Sequence, residues 1–109
     1  MRLITSIWVS AYLTRLRQEN IPAYVIAHGD DTAGAVLVKV STLDGKAASY
    51  TRAFDPGTGQ RGWTSLVSGP ESEVDAAIHR QRGYDPDLWV IEIEERTGRH
   101  LLDEPGISD

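Results

Sequence analysis

The sequence predicts an α+β fold: a single, largely antiparallel sheet of four to six strands with two helices on one face, in the order α-β-β-β-(β)-α-β-(β). Three observations predict it. The chain opens on a broad helical apolar stripe, continues in alternating runs separated by turn signals, and returns through a second amphipathic stretch to its most strand-like segment. Connections of hairpin length join antiparallel neighbours, hence the expected strand directions.

Ile4, Ile7, Trp8, Ala11, Tyr12 and Leu16 fall on one wide helical face, with Thr5 or Ser6 as the cap and Asn20 and Pro22 as the stop. Ala23–His28 reads as a strand, and Gly29–Gly34 as a turn. Ala35–Leu43 alternates, with Val36, Val38 and Val40 opposing Leu37, Lys39 and Ser41. Asp44-Gly45 signals a two-residue hairpin into Lys46–Phe54, where Tyr50, Arg52 and Phe54 share a face. Asp55–Gly62 is expected as a loop and Trp63–Val67 as a short fourth strand. Ser68-Gly69-Pro70-Glu71 opens a surface helix with a narrow seam of Val74, Ala77 and Ile78, stopped by Gly83. Leu88–Glu95 is a strand with Trp89, Ile91 and Ile93 opposing Val90, Glu92 and Glu94. Thr97-Gly98 is expected to turn it back through His100-Leu101-Leu102. Residues 1–102 thus form one domain, and 103–109 are expected to be a disordered acidic tail.

The 109 residues suit one domain, and the absence of cysteine excludes disulfides and thiolate metal sites while favouring a reducing, cytoplasmic location. Thr5 and Ser6 interrupt the first apolar run before signal-peptide length, and no stretch approaches a membrane span. The net charge of -5 is uneven: residues 1–52 carry +2 and the remainder -7. An acidic C-terminal half repels phosphate backbones, so neither nucleic acid nor an anionic membrane is expected as a partner.

Gly57-Thr58-Gly59-Gln60-Arg61-Gly62 matches G-x-G-x-x-G, but a dinucleotide fingerprint must leave a parallel strand and open a helix. Strand-like residues follow here, so no cofactor is predicted. His28, His79 and His100 lack metal-ligand spacing, and no metal site is predicted. A nuclease of the restriction-endonuclease type would need an acid on the second strand, which has none. A double-stranded-RNA-binding domain would need lysines where Glu71, Glu73 and Asp75 stand.

One carboxylate group remains. Glu92 and Glu94 share a strand face, preceded by Asp85 and Asp87, and such a set could hold a hard cation or serve as acid and base. The alternative is a solvated face paired with Lys39, Arg52 or Arg96. Trp63, Trp89, Arg99 and His100 are the candidate interaction residues, because a partly exposed Trp anchors interfaces.

Ile7–Leu13 and Tyr84-Asp85-Pro86-Asp87-Leu88-Trp89-Val90-Ile91-Glu92-Ile93-Glu94, together with Gly34–Val40, Leu43-Asp44-Gly45 and Gly98–Pro105, resemble a family of short alphaproteobacterial proteins catalogued only as a domain of unknown function. Asp-Pro-Asp-Leu-Trp is the most specific part of the likeness. The resemblance implies a cytoplasmic single-domain protein, and it supplies no activity, ligand or catalytic residue. The functional expectation is a non-enzymatic binding or adaptor domain, with a protein partner or self-association, possible as a homodimer. The rival expectation is a small metal-assisted hydrolase using Asp85, Asp87, Glu92 and Glu94.

Overall fold

The computed structural model describes residues 3–108. The chain runs α1 (Thr5–Gln18), β1 (Ala23–Ala27), β2 (Val36–Ser41), β3 (Lys46–Asp55), β4 (Gln60–Pro70), α2 (Glu71–Tyr84) and β5 (Trp89–Glu94). The strands form one sheet in the order β1-β5-β2-β3-β4. Three neighbouring pairs are antiparallel, but β5 runs parallel to β2, so the sheet is mixed. The parallel pair arises because α2 carries the chain back across the sheet before β5 begins, the kind of crossover a parallel neighbour requires.

The two helices lie on opposite faces, not on one face as the sequence suggested. Trp8, Val9, Tyr12 and Leu16 of α1 pack with Val38, Val40, Ile91 and Ile93. Val74 and Ile78 of α2 pack with Leu37 and Val90, the alternate residues of the same strands, and with Ala47 of β3. The central strands β2 and β5 are therefore covered on both sides. Lys39 and Glu92 occupy places on the α2 face that an alternating pattern assigns to water.

Helix α1 starts without a side-chain cap. The amides of Thr5 and Ser6 donate to the carbonyls of Thr32 (3.1 Å) and Asp31 (2.8 Å), so the β1–β2 connection supplies the acceptors. Its other end follows the expected stop. Asn20 takes φ 58°, its amide donates to Arg17, and the Ile21 amide donates to Leu16 at 3.0 Å. This is a Schellman ending, with buried Ile21 against Leu16. Helix α2 runs through Gly83 to Tyr84.

The β2–β3 turn differs from a two-residue hairpin. Leu43 (φ 62°) and Gly45 (φ 86°) are its left-handed residues, and the Asp44 carboxylate accepts from the Thr42 hydroxyl and the Lys46 amide. The expected Asp55–Gly62 loop shrinks to a turn at residues 56–59: β3 and β4 continue in register as far as Asp55↔Gln60.

Among the described residues no return strand forms after β5. Leu101, Leu102 and Ile107 are instead buried against α1. The Tyr12 hydroxyl donates to the His100 carbonyl (2.8 Å), the Trp8 indole donates to the Ile107 carbonyl (3.1 Å), and Arg15 forks onto Glu104 at 3.0 and 3.2 Å. Residues 103–108, expected as a disordered tail, are thus tied to α1 because Ile107 gives them an apolar anchor; Asp109 lies outside the described residues. Among the described residues, no helix is long and apolar enough to cross a membrane.

Candidate functional site

Pairing between β2 and β3 ends at Leu37↔Thr51, while β3 and β4 continue beyond it through Arg52↔Trp63, Ala53↔Gly62, Phe54↔Arg61 and Asp55↔Gln60. The last turn of the sheet is therefore a two-stranded ribbon overhanging its neighbours. A register shift between Ser49 and Tyr50 precedes it, and such bulges increase twist and re-aim the strand. Between the ribbon, the first turns of α1 and residues 32–36 lies a cleft of about 460 Å³. Its walls include Thr5, Trp8, Thr51, Arg52, Phe54 and Arg61.

A stack of aromatic rings backs the cleft. Trp8 lies 5.0 Å from Tyr12 and 5.3 Å from Trp63, centroid to centroid, at interplanar angles of 25° and 26°. The Arg52 guanidinium sits 5.0 Å from the Trp8 ring and 5.3 Å from the Trp63 ring, within cation–π range. The Trp63 indole N–H is buried and meets no acceptor among the described residues. At the rim, Phe54 is 62% exposed, and Arg61 stands opposite it across the ribbon.

The charge of the lining is the informative part. Among the described residues it contains two arginines and three threonines, and no aspartate or glutamate, in a chain whose net charge is -5. Low-dielectric walls concentrate the field of the Arg61 guanidinium at the rim, so the cleft favours an anion there. The Trp8 and Phe54 rings favour an apolar body attached to it.

The structure separates the carboxylates considered for metal chemistry. Asp85 accepts from the Asp87 amide in a local turn, and Asp87 offers its main-chain carbonyl to Asp30. Glu92 faces Lys39 at 3.2 Å, and Glu94 bonds the Tyr24 phenol, which it helps push above its ordinary pKa. Asp87 lies in the turn before β5, and a strand advances about 3.3 Å per residue, so Glu92 stands well beyond it. Among the described residues, no group of three or more acidic or histidine side chains could hold a metal.

The interaction candidates also separate. Trp63 belongs to the cleft's aromatic stack. Trp89 is only 3% exposed: its indole donates to the Asp30 carbonyl at 2.8 Å, and the His28 ring lies 4.0 Å from it. Arg99 pairs with Glu19 at 2.6 Å. His100 is half-buried, accepts from the Leu102 amide through Nδ1 (3.0 Å) and packs on Tyr50. Sequence reasoning missed Trp8, Arg52 and Arg61 as partners in one site. The available signal was the cation-aromatic repeat Arg52-Ala53-Phe54 and Arg61-Gly62-Trp63 on either side of a turn, which becomes cross-strand pairing once the loop is recognised as a hairpin.

The Asp-Pro-Asp-Leu-Trp stretch has a structural job. The Asp87 carbonyl accepts from the Asp30 amide at 3.0 Å, the Trp89 amide donates to Ala35 at 2.8 Å, and the Trp89 indole closes on Asp30. Gly29 and Gly34 lie so close to the Asp87 carbonyl that a side chain at either would collide with it. The motif thus fastens the β1–β2 connection, which in turn caps α1 and forms one wall of the cleft.

A family model described as "Protein of unknown function (DUF1491)" matches residues 3–103. The crystal structure of a DUF1491 family protein from Caulobacter crescentus CB15 is 43% identical, with a TM-score of 0.82 over 96% of this chain and 97% of that one. An NMR structure of a DUF1491 family protein from the same organism is 44% identical, with a TM-score of 0.80 and 96% of each chain covered. The solution structure of protein Atu0922 from A. tumefaciens is 31% identical, with a TM-score of 0.72 and 86% of each chain covered. No curated protein matches the chain.

Proposed function

The chain belongs to the DUF1491 family of proteins of unknown function, and from that premise we propose that it is a non-enzymatic binding or adaptor domain whose ligand site is the Trp8–Arg52–Arg61 cleft. The observation that carries the reading is the exposed rim pair of Phe54 and Arg61 beside an aromatic stack, in a cleft with no acid among its described residues. The ligand this chemistry suits is an organic carboxylate joined to a flat apolar group. Arg61 meets the carboxylate, while Trp8 and Phe54 meet the apolar part. Either a small molecule or an acidic side chain of a protein partner presents that combination. A cytoplasmic, alphaproteobacterial setting accompanies the reading, supported by the absence of cysteine and by similar structures from C. crescentus and A. tumefaciens.

The test is heteronuclear NMR of the full chain titrated with phenylacetate, with an acetylated Phe-Glu dipeptide, and with inorganic phosphate. Saturable shifts of the Trp8 and Trp63 indole N–H signals with either organic carboxylate, abolished by Arg61→Glu, are expected. Saturation by the dipeptide alone indicates a protein source, and saturation by phenylacetate indicates a small molecule. Linear, non-saturating shifts at millimolar ligand, or equal binding by phosphate or by the Arg61→Glu variant, overturn the reading.

A further inference from the structure

Strand β1 is the sheet's exposed edge, and its outward side is unusually unguarded. It pairs only with β5, and Tyr24, Val25 and Ile26 are 50%, 43% and 52% exposed. Natural sheet edges are blunted by charges, proline or bulges. The opposite edge, β4, carries Arg61, Gly62, Gly69 and Pro70 and borders a register shift. By contrast, residues 20–27 hold no charged side chain and their only proline, Pro22, precedes the strand, so what guards β1 is its own register shift after Val25.

The direction of the main-chain groups follows from one bond. The Glu94 amide donates to the Pro22 carbonyl at 3.1 Å, and Tyr24 is the register partner of Glu92. In an antiparallel ladder alternate residues face the partner, so Pro22 and Tyr24 turn their main-chain groups towards β5. Ala23 and Val25 therefore turn theirs outward. The register shift after Val25 limits the regular edge to these residues.

We infer that this edge pairs with the same edge of a second copy of the chain, antiparallel about a twofold axis through Tyr24. That register sets Ala23 against the partner's Val25 and Val25 against the partner's Ala23, both outward-facing, so each pair exchanges two main-chain hydrogen bonds. The two Tyr24 residues meet on the axis as a close non-hydrogen-bonded pair, where aromatic side chains gain contact. A second copy fits because the register is self-complementary and because this uncharged run lets two chains of net charge -5 approach without like charges opposing across the seam. So short a seam makes a weak, reversible dimer. This inference is independent of the cleft.

Light scattering and sedimentation of the full chain should show a mass rising from 12.0 kDa towards twice that value as concentration increases from micromolar to millimolar. Val25→Pro removes an outward donor that β1 does not use in pairing with β5, and Tyr24→Lys places two like charges on the axis. Both variants should remain folded by circular dichroism and stay at 12.0 kDa. Mixed isotope labelling should give intermolecular contacts between the Ala23 and Val25 amides of the two copies. A parent that remains monomeric to millimolar concentration overturns the inference, even if it binds an extended peptide along β1. So does a parent dimer whose intermolecular contacts lie elsewhere, or folded variants that associate as the parent does.

Discussion

The Lys39 ammonium stands 3.2 Å from the carboxylate of Glu92, its register partner across the parallel β2–β5 pair. It also reaches Glu71 at 2.8 Å and Asp75 at 2.7 Å on α2. Its three N–H donors thus match three carboxylates, and a side chain 6% exposed fastens α2 to two central strands. Burial pulls the ammonium pKa down, but the hydrogen bonds it donates to Asp75, Glu71 and Glu92 together raise it above the ordinary lysine value. Its stabilising contribution is therefore complete below the unfolded-state pKa of about 10.4 and fades as pH rises through the folded value.

Lys39→Ala should destabilise the fold by about 2–3 kcal/mol, somewhat less than for a fully buried pair because Glu71 and Asp75 return partly to water. Glu92→Gln should cost only about 1 kcal/mol, since Lys39 keeps two carboxylates. Urea denaturation measures both; equal effects for the two variants would contradict the shared arrangement.

His100 gives a pH dependence of opposite sense. Burial lowers its pKa, with Asp103 opposing that shift, and its Nδ1 already accepts the Leu102 amide. The neutral ring is thus favoured in the fold. Stability should be complete above the unfolded histidine value of about 6.5 and decline as pH falls from there towards the depressed folded pKa. His100→Asn keeps an acceptor for Leu102 and should remove this segment of the pH profile, measured by thermal melts between pH 5 and pH 7, a range of about 2 units.

Trp8→Phe should preserve most of the stack on Tyr12 while losing the N–H donated to Ile107. A loss of about 1–2 kcal/mol is expected, concentrated in residues 103–108, where the Ile107 carbonyl loses its buried partner. Hydrogen exchange at the Ile107 and Ser108 amides, which donate to the Glu104 carbonyl, should accelerate more than at β5. Uniform acceleration would place the effect in the whole core instead.

Gly29→Ala should be far worse than an average surface change. Its new Cβ would meet the Asp87 carbonyl and lie 2.6 Å from the Trp89 ring. Trp89→Phe, which spares the packing but leaves the Asp30 carbonyl with the Gly34 amide as its remaining donor, should cost about 1 kcal/mol. Gly59→Ala provides the contrast: nothing surrounds it, and its penalty comes from its φ of 71° alone. Chemical denaturation of the three variants ranks them, and a Gly29→Ala protein as stable as Gly59→Ala would contradict the close approach.

Element order was legible because helical and strand periodicities are local properties. The face taken by α2 was not, because it depends on what covers Leu37 and Val90. Their alternation with Val38 and Ile91 reads as spillover from a single core when only one covering helix is imagined. The ribbon was hidden by Gly57, Gly59 and Gly62, whose composition resembles a loop although Phe54↔Arg61 pairing requires a strand. Ile107 alone among acidic and turn-forming neighbours held the signal for the ordered C-terminal segment. The cleft was hardest to foresee, since it joins residues 8, 52 and 61 through long-range packing rather than a contiguous motif.

Strand order also governs how synthesis must proceed. Among the described residues β1 has only β5 as a strand neighbour, and β5 leaves the ribosome after the other four strands. The first helix emerges early, yet its apolar partners include Ile91, Ile93, Leu101, Leu102 and Ile107. Neither β1 nor the underside of α1 can be covered until residues 89–107 have emerged and β5 slides between β1 and β2. Such distant pairings make closure slow relative to local hairpin formation. A nascent chain stalled before Trp89 therefore carries a formed β2–β3–β4 meander beside an uncovered N-terminal segment, a species for which an early-binding chaperone has an obvious target.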